Sequence, residues 1–420
     1  MNKYQSYKPS GVEWIGEIPE HWETIRFGML GIFSSSGIDK KLDDNETSVR
    51  MVNYTDIIKS RVHNPIINNQ IDFMVVTTPQ SKLEEHKLRK GDLVFLPSSE
   101  TCEDLGVSSL IDFDENDIVY SYHILRFKFL KEVNHYFKKY IGNHNGVYNQ
   151  FSLEGKGTTR QIIGRNVFRN VKVVLPPISE QLQIVQFLDS KTELIDNLIK
   201  SIEKRIELLK EKRLGLIQKV ILNNEIERIR LKYVVDLINR PITEFDSTNY
   251  TRIGMYNWGR GIFKYEEEIG SELGDSEFSI IKEGDLILSG QFSWEGSVSI
   301  VESEFDNCIC SHRFHILKGK NNVLLNEYLW GYFTSQEGHF ILDINSNGFA
   351  GRNRPLNIGK LLKEKIPIPN LNIQNEIKNI VEIERKNNEY SQKMKSLLKE
   401  YRQSLISEVV TGKIKVTTDE

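Results

Sequence analysis

The chain has 420 residues, of which 39% are hydrophobic and 27% charged, with a formal net charge of −3. That length exceeds one ordinary core and suits two or three domains, while the composition excludes a disordered chain. No apolar run nears the roughly 20 residues needed to cross a bilayer, Met1 to Ser6 lacks a signal peptide's apolar stretch, and three cysteines (Cys102, Cys308, Cys310) cannot build a disulfide framework. A protein of the reducing cytoplasm is expected.

In chain order, residues 1–177 form a mixed, strand-rich part. Lys90-Gly91-Asp92 marks a turn, and Leu93-Val94-Phe95-Leu96 after it predicts a strand. Asn134 to Ile141 predicts a short helix. Pro176-Pro177 ends this part, because proline suits an extended approach rather than a helix interior. Residues 178–222 predict one long helix. Within it Leu188, Ile195, Ile202, Leu209 and Leu216 recur at heptad spacing, with Ile199, Ile206 and Val220 interleaved and Thr192 and Arg213 interrupting that second row. This 3-4 alternation marks a coiled-coil seam.

Residues 223–370 return to the mixed texture, with a Glu283-Gly284-Asp285 turn, a strand over Asp285 to Leu288 and a short helix over Asn326 to Phe333. Pro367-Ile368-Pro369 precedes a second long helix, 371–412. Its seam starts with Ile377 and Ile380, passes a polar middle at Asn387 and Asn388, and resumes at Met394, Leu398, Tyr401 and Leu405; residues 413–420 form a tail. At 1.5 Å per residue such helices measure roughly 55–65 Å, the length of a spacer.

The second half echoes the first. Trp22-Glu23-Thr24-Ile25-Arg26-Phe27 matches Ile226-Glu227-Arg228-Ile229-Arg230-Leu231, and Lys90 to Phe95 matches Glu283 to Leu288. Asn134, Tyr136 and Tyr140 match Asn326, Tyr328 and Tyr332. Val173, Pro176, Gln181 and Ile184 match Ile366, Pro369, Gln374 and Ile377, and Leu216-Ile217 with Val220-Ile221 match Leu405-Ile406 with Val409-Val410. Matches in one order at a nearly constant offset predict a duplicated unit. The expected fold class is therefore α/β (α+β): two similar globular domains separated by two long antiparallel coiled-coil helices, with an internal pseudo-two-fold duplication.

A net charge of −3 does not favour nucleic-acid binding, yet phosphates feel local charge. Lys156, Arg160, Arg165, Arg169 and Lys172 lie in a stretch without acids, as do Arg352, Arg354, Lys360 and Lys363 between Asp343 and Glu364. No catalytic constellation emerges. Asn64-Pro65-Ile66-Ile67 and Leu175-Pro176-Pro177-Ile178 lack the full amino-methyltransferase loop, and no phosphate-binding GxxxxGK[ST] loop occurs. Asp72 with Glu85-His86-Lys87 imitates a nuclease metal site but reads as surface. Cys308, Cys310 and His312 would share one face of a strand, but zinc sites draw ligands from separate turns, so buried thiols are the better reading. No metal site and no catalytic residue is expected.

The opening Tyr7-Lys8-Pro9-Ser10-Gly11-Val12-Glu13-Trp14-Ile15-Gly16-Glu17-Ile18-Pro19-Glu20-His21-Trp22 resembles the start of type I restriction-modification specificity subunits. Leu175-Pro176-Pro177-Ile178-Ser179-Glu180-Gln181 and the stretch from Leu405-Ile406 to Val410-Thr411-Gly412-Lys413-Ile414 are similar to that family's helix start and C-terminal tail. The resemblance spans the whole chain. One departure is Pro369-Asn370-Leu371-Asn372-Ile373-Gln374, which lacks the second proline and the glutamate, so the cap of the second long helix is in question.

The resemblance implies two target-recognition domains, each binding one half of a split sequence in double-stranded DNA. It implies two methyltransferase subunits docked on the long helices and ATP-driven restriction subunits outside them. S-adenosylmethionine, ATP and Mg²⁺ would sit on those partners and no cofactor on this chain. Two dissimilar readers on a spacer suit a bipartite, non-palindromic site, with half-sites about one DNA turn (~34 Å) apart. A coiled-coil scaffold with protein-binding flanking domains is the alternative.

Arginine, glutamine and asparagine pair bidentately with guanine or adenine edges. The basic turns ending each domain are thus the first DNA-contact candidates: Lys156, Thr158, Thr159, Arg160 and Gln161, and Arg352, Asn353 and Arg354. Tyr54 and Arg61 in the first domain, and Asn257, Trp258, Arg260, Gln291 and Trp294 in the second, form a further set, in which the aromatics serve equally well as core.

Overall fold

The computed structural model describes residues 3–61, 64–101, 104–243, 247–274, 276–348 and 354–416. The chain divides into two compact units, one of Met1–Ser201 with Lys393–Glu420, the other of Ile202–Gln392. The division cuts both long helices, Ile178–Leu222 and Leu371–Val410, so each unit holds one strand-rich part and a stretch of each helix.

In the first unit the main sheet has the antiparallel order Gly31–Ser35, Leu125–Phe129, Leu93–Phe95, Ser108–Ile111, with Ile66–Ile67 added in parallel at its edge. A smaller sheet pairs Ile118–Tyr120 in parallel with Thr47–Val52, which pairs antiparallel with Met74–Thr78. A two-stranded ladder ties Glu23–Arg26 to Lys172–Leu175 just before the first long helix. Buried phenylalanines fill the core behind the main sheet, with the Phe27 ring 4.7 Å from Phe127 edge-on and Phe33 4.4 Å from Phe127.

The second unit repeats this topology except at the sheet edges, where Phe278–Ile280 is added antiparallel to Ile309–Ser311 and no strand among the described residues corresponds to Ile66–Ile67. Its main sheet runs Val235–Ile238, Phe314–Gly319, Leu286–Ser289, Val298–Ile300. Its smaller sheet pairs Ile309–Ser311 in parallel with Asn249–Met255, which pairs antiparallel with Ile262–Ile269. The ladder joins Arg228–Arg230 to Lys365–Pro367 before the second long helix. Every corresponding pairing has the same sense, so the repeat in sequence is a repeat of fold.

The echoed residues have physical reasons. Gly91 and Gly284 take φ of 92° and 82°, which side chains resist. The following Asp92 and Asp285 accept backbone N–H bonds from Arg89 (2.8 Å) and Lys282 (2.9 Å), closing each turn. Both buried carboxylates also take an arginine, Arg126 at 2.8 Å and Arg240 at 2.6 Å. Gln181 and Gln374 are buried at the starts of the long helices. Gln181 accepts from Asn134 N (2.8 Å) and donates to Pro176 O (2.8 Å); Gln374 accepts from Leu325 N (2.8 Å) and donates to Pro369 O (2.8 Å). Asn370 caps the second long helix, its side chain accepting from Ile373 N at 3.1 Å, which compensates for the missing second proline and glutamate.

The motifs of the chain's beginning and end meet in the first unit. Glu180 accepts from Tyr4 Oη (2.8 Å) and Trp22 Nε1 (3.2 Å) and lies 2.6 Å from His21 Nε2. Tyr7 Oη donates to Gly412 O at 3.1 Å, and Gly412 (φ 74°) leaves no room for a Cβ beside Pro19 and Trp22.

Within each unit the two helix stretches run antiparallel. In the first, Ile184, Val185 and Leu188 share a core with Leu405, Ile406, Val409 and Val410, and Asp196 pairs with Arg402 at 3.0 Å. In the second, Arg213 and Glu384 form a buried pair at 2.7 Å, with Arg213 also donating to Thr334 (2.6 Å) and stacking over Trp330 (4.6 Å). The predicted seam residues Leu188, Ile195, Val220, Ile377, Ile380 and Leu405 are buried, while Ile199, Ile202, Ile206, Leu209, Leu216, Met394 and Leu398 are half-buried. Tyr401 is corrected: it is 50% exposed, because the helix turns Arg402 into that position to meet Asp196.

Other elements also differ from expectation. The helix expected over Asn134 to Ile141 is only Lys138–Ile141, because the Asn134 side chain accepts from Tyr136 and Phe137 N–H and holds a turn there. His86 and Lys87 are buried rather than at the surface, His86 lying edge-on to Tyr120 at 5.9 Å.

Gln374→Leu should leave Leu325 N–H and Pro369 C=O without their partner, and lower stability by about 2–3 kcal/mol in urea unfolding. His144, fully buried, has its pKa pushed down to about 4 by burial and then by Lys413. Below pH 6.5 the unfolded imidazole takes a proton that the folded one refuses until about pH 4. Stability should therefore fall as pH drops through that window, by at most about 1.4 kcal/mol per pH unit. His144→Gln should flatten that slope in urea midpoints measured against pH.

Candidate nucleic-acid interface

In the first unit, Lys156 to Arg160 form an exposed turn closed by an antiparallel bridge between Lys156 and Ile162. Gln161–Ile162 pairs with Ser98–Ser99, so the turn sits on the loop that follows the Gly-Asp strand. Arg160 Nε donates to Ser98 Oγ at 3.2 Å. Thr158 and Thr159 are exposed at the tip. Arg61 ends the helix Tyr54–Arg61, pairs with Asp104 of that same loop and lies 5.9 Å from the Tyr148 ring centroid. Tyr54 is half-buried against the core beneath that helix, consistent with its core reading. The basic stretch does not act as one patch: Lys172 turns away to donate to Gly11 O at 3.1 Å, while Arg165 donates to Ser35 at 2.5 Å.

The second unit gathers its candidates around the equivalent loop. Leu356 N donates to Gly290 O (2.8 Å), and an antiparallel bridge joins Ser346 to Leu356. Arg352 and Asn353 lie outside the described residues. Arg354 stacks over Trp294 at 4.9 Å, pairs with Asp343 at 2.7 Å and donates to Ser346 O at 3.3 Å. Trp294 Nε1 donates to Gln291 O at 3.1 Å. Asn257 bonds Glu295 and accepts from Ser297 Oγ (2.8 Å), and Arg260 donates to Asn257 O at 2.9 Å. Trp258 is 69% exposed, has φ of 61° and stacks on His339 at 5.2 Å. A left-handed backbone at a bulky residue costs energy and is held here by Trp258 N donating to Glu295 O at 3.0 Å. Asn257, Trp258, Arg260, Gln291, Trp294 and Arg354 thus form one cluster.

Sequence reasoning missed two turn tips beside these loops. At the Tyr122-His123 tip of the first unit, burial and then the charge of Arg160 hold His123 below its usual pKa. His312-Arg313 in the second unit lines a cleft of about 530 Å³ with Arg252, Tyr265, Gln291 and Phe292. The signal was present in the aligned order Ser121-Tyr122-His123-Ile124 and Ser311-His312-Arg313-Phe314, in a short tip between two strands. Cys308 and Cys310 are buried, burial pushing the Cys310 thiol up to about 12, whereas His312 stands exposed in the turn. Among the described residues no cluster of three or more His, Cys, Asp or Glu side chains could hold a metal ion. No described helix is long and apolar enough to cross a membrane.

Two copies of one α+β scaffold, each holding portions of two long helices, define a duplicated two-unit protein. Residues 19–208 and 223–400 match the type I restriction modification DNA specificity domain, and the chain belongs to that family of DNA-sequence specificity subunits. It is 24% identical to the type I restriction enzyme MjaVIII specificity subunit of Methanocaldococcus jannaschii, over 95% of this chain and 94% of that protein. It is also 24% identical to the putative type I restriction enzyme MjaX specificity subunit of the same organism, over 52% of this chain and 49% of that protein. The fold is similar to a chain solved in work on complex assembly and conformational transition of the type I R-M system, with TM-score 0.62 and 15% identity over 94% of this chain and 99% of that one.

The two arginines differ in what they do for the fold. Arg160→Ala should weaken duplex binding without moving the unfolding midpoint. Arg354→Ala, which also removes the Trp294 stack and the Asp343 pair, should weaken binding and cost about 1–2 kcal/mol of stability. Fluorescence anisotropy with duplex DNA and urea unfolding of the same preparations check both.

Proposed function

We propose that the chain reads a bipartite, non-palindromic DNA sequence, one half with each unit, and directs partner methyltransferase and ATP-dependent restriction subunits to it in the cytoplasm. The observation that carries this is the pairing of one topology with two different sets of loop side chains. Lys156 to Gln161 and Arg61 occupy the loops of the first copy, and Gln291, Trp294 and Arg354 those of the second. Identical readers would suit a palindrome; unlike readers suit two unlike half-sites. Phosphate contacts would come from Lys156, and base-edge contacts from Arg160, Gln161 and Gln291, with Arg354, held by Asp343 and Trp294, shaping the second loop.

The chain has no catalytic role in this reading. S-adenosylmethionine belongs to the methyltransferase subunits, two of which dock along the long helices, and ATP and Mg²⁺ belong to the restriction subunits. Selection from randomised duplexes should return one split consensus, with binding that weakens steeply as salt rises. The purified chain should neither methylate nor cleave DNA. A chain that selects no sequence would instead be a protein-binding scaffold, and activity without partners would overturn the non-catalytic role.

A further inference from the structure

We infer that the tight turns Ser121–Ile124 and Ser311–Phe314 are a further specificity-determining element, with Arg313 reading a guanine edge in one half-site and His123 a purine acceptor edge in the other. This rests on the DNA-reading function proposed above. Each turn links the last strand of the smaller sheet to the central region of the main sheet, Ile118–Tyr120 to Leu125–Phe129 and Ile309–Ser311 to Phe314–Gly319. The backbone is pinned in both copies. Tyr122 N donates to Ile38 O (3.0 Å), Ile124 N to Ser121 O (3.0 Å) and His123 N to Ser121 Oγ (3.2 Å). His312 N donates to Glu277 O (2.9 Å), and Arg313 O accepts from Gly290 N (2.5 Å). Gly290 has no space for a Cβ against Arg313 O, so the tip is fixed against the loop that carries Gln291.

The tip side chains contrast with that rigid support. Tyr122, His312 and Arg313 are exposed, and His123 is half-buried. Neighbouring arginines of the second unit are already neutralised: Arg252 by Glu268, Arg240 by Asp285 and Arg354 by Asp343. Arg313 pairs with no carboxylate among the described residues, and it shares its cleft with Gln291. A rigid turn presenting an unneutralised planar donor beside an amide is suited to the paired O6 and N7 acceptors of guanine. In the first unit the Tyr122 ring lies 3.8 Å from the His123 ring, and Arg160 is near enough for its charge to act on that imidazole. One scaffold with different tips in the two copies is what a position that discriminates bases requires, since packing alone does not call for the difference.

The test uses the full chain and randomised duplexes, comparing Arg313→Ala, Arg313→Lys and His123→Ala with the unmodified protein. Arg313→Ala should make one position of one half-site degenerate, with a loss of preference of roughly 5- to 150-fold, and leave the other half-site intact. His123→Ala should relax the other half-site alone. Arg313→Lys should retain affinity and lose the preference, because an ammonium cannot grip two acceptors in one plane. Variants that select the unchanged consensus, or that weaken equally on all sequences, overturn the inference while leaving the bipartite reader in place. A parent chain that selects no consensus overturns the function itself.

Discussion

A buried glutamine at the start of each long helix ties a strand-rich part to the helix that follows it. Gln181 and Gln374 each accept an N–H from the segment before the short helices and donate to the proline carbonyl at the helix start. The proline cannot donate to the helix ladder, and its carbonyl lies where the chain changes direction, so a side-chain amide is the natural group to satisfy it. Both amides are buried and satisfied at each end, which lets a rotatable backbone junction hold one geometry. The repetition of this tie explains why glutamine recurs where neighbouring residues do not. Glu180 recurs only in the first copy because its partners, Tyr4, His21 and Trp22, exist once in the chain.

Polar groups also set the pairing of the helices. A purely apolar seam of leucine and isoleucine tolerates sliding by a heptad, whereas a buried ion pair does not. Arg213 with Glu384 in the second unit, and Asp196 with Arg402 in the first, each fix which residues meet. Thr192 avoids a cost of its own by donating to Leu188 O at 2.8 Å. Arg213, which interrupts the heptad row, is therefore a register mark, and it costs stability relative to a well-packed apolar pair.

Much of the architecture was legible because periodicity and turn chemistry act locally. The long helices follow from heptads between proline stops, the Gly-Asp turns from a positive φ and a carboxylate that caps its own turn, and the duplication from matches kept in order. Tyr401 was misplaced because a heptad template says which face a residue occupies only to within one position, and the choice between Tyr401 and Arg402 was settled by Asp196 across the helix pair. The missing helical turn at Asn134 has a similar origin, since an asparagine can satisfy either a helix or a local turn. The candidate site was partly legible. Basic, Gly-flanked turns announced Arg160 and Arg354, but nothing in composition reveals that Arg354 is neutralised by Asp343 while Arg313 meets no carboxylate among the described residues.

That last distinction bears on how one scaffold can carry different readings. The residues that define the fold, the core phenylalanines, the Gly-Asp turns and the glutamine ties, are spent inside each unit and leave the loop tips with no structural duty. Tyr122 and His312 occupy corresponding places, and so do His123 and Arg313, on backbones pinned by main-chain bonds that accept any side chain. Substitution there changes the donors and acceptors shown to a ligand without disturbing a buried bond. Trp258 is the opposite case: its exposed ring is bought with a left-handed backbone and stacked on His339, so changing it alters local strain as well as surface chemistry. Under the proposed reading, specificity shifts most freely at the turn tips, whereas a change at Trp258 would also disturb its backbone and the His339 stack.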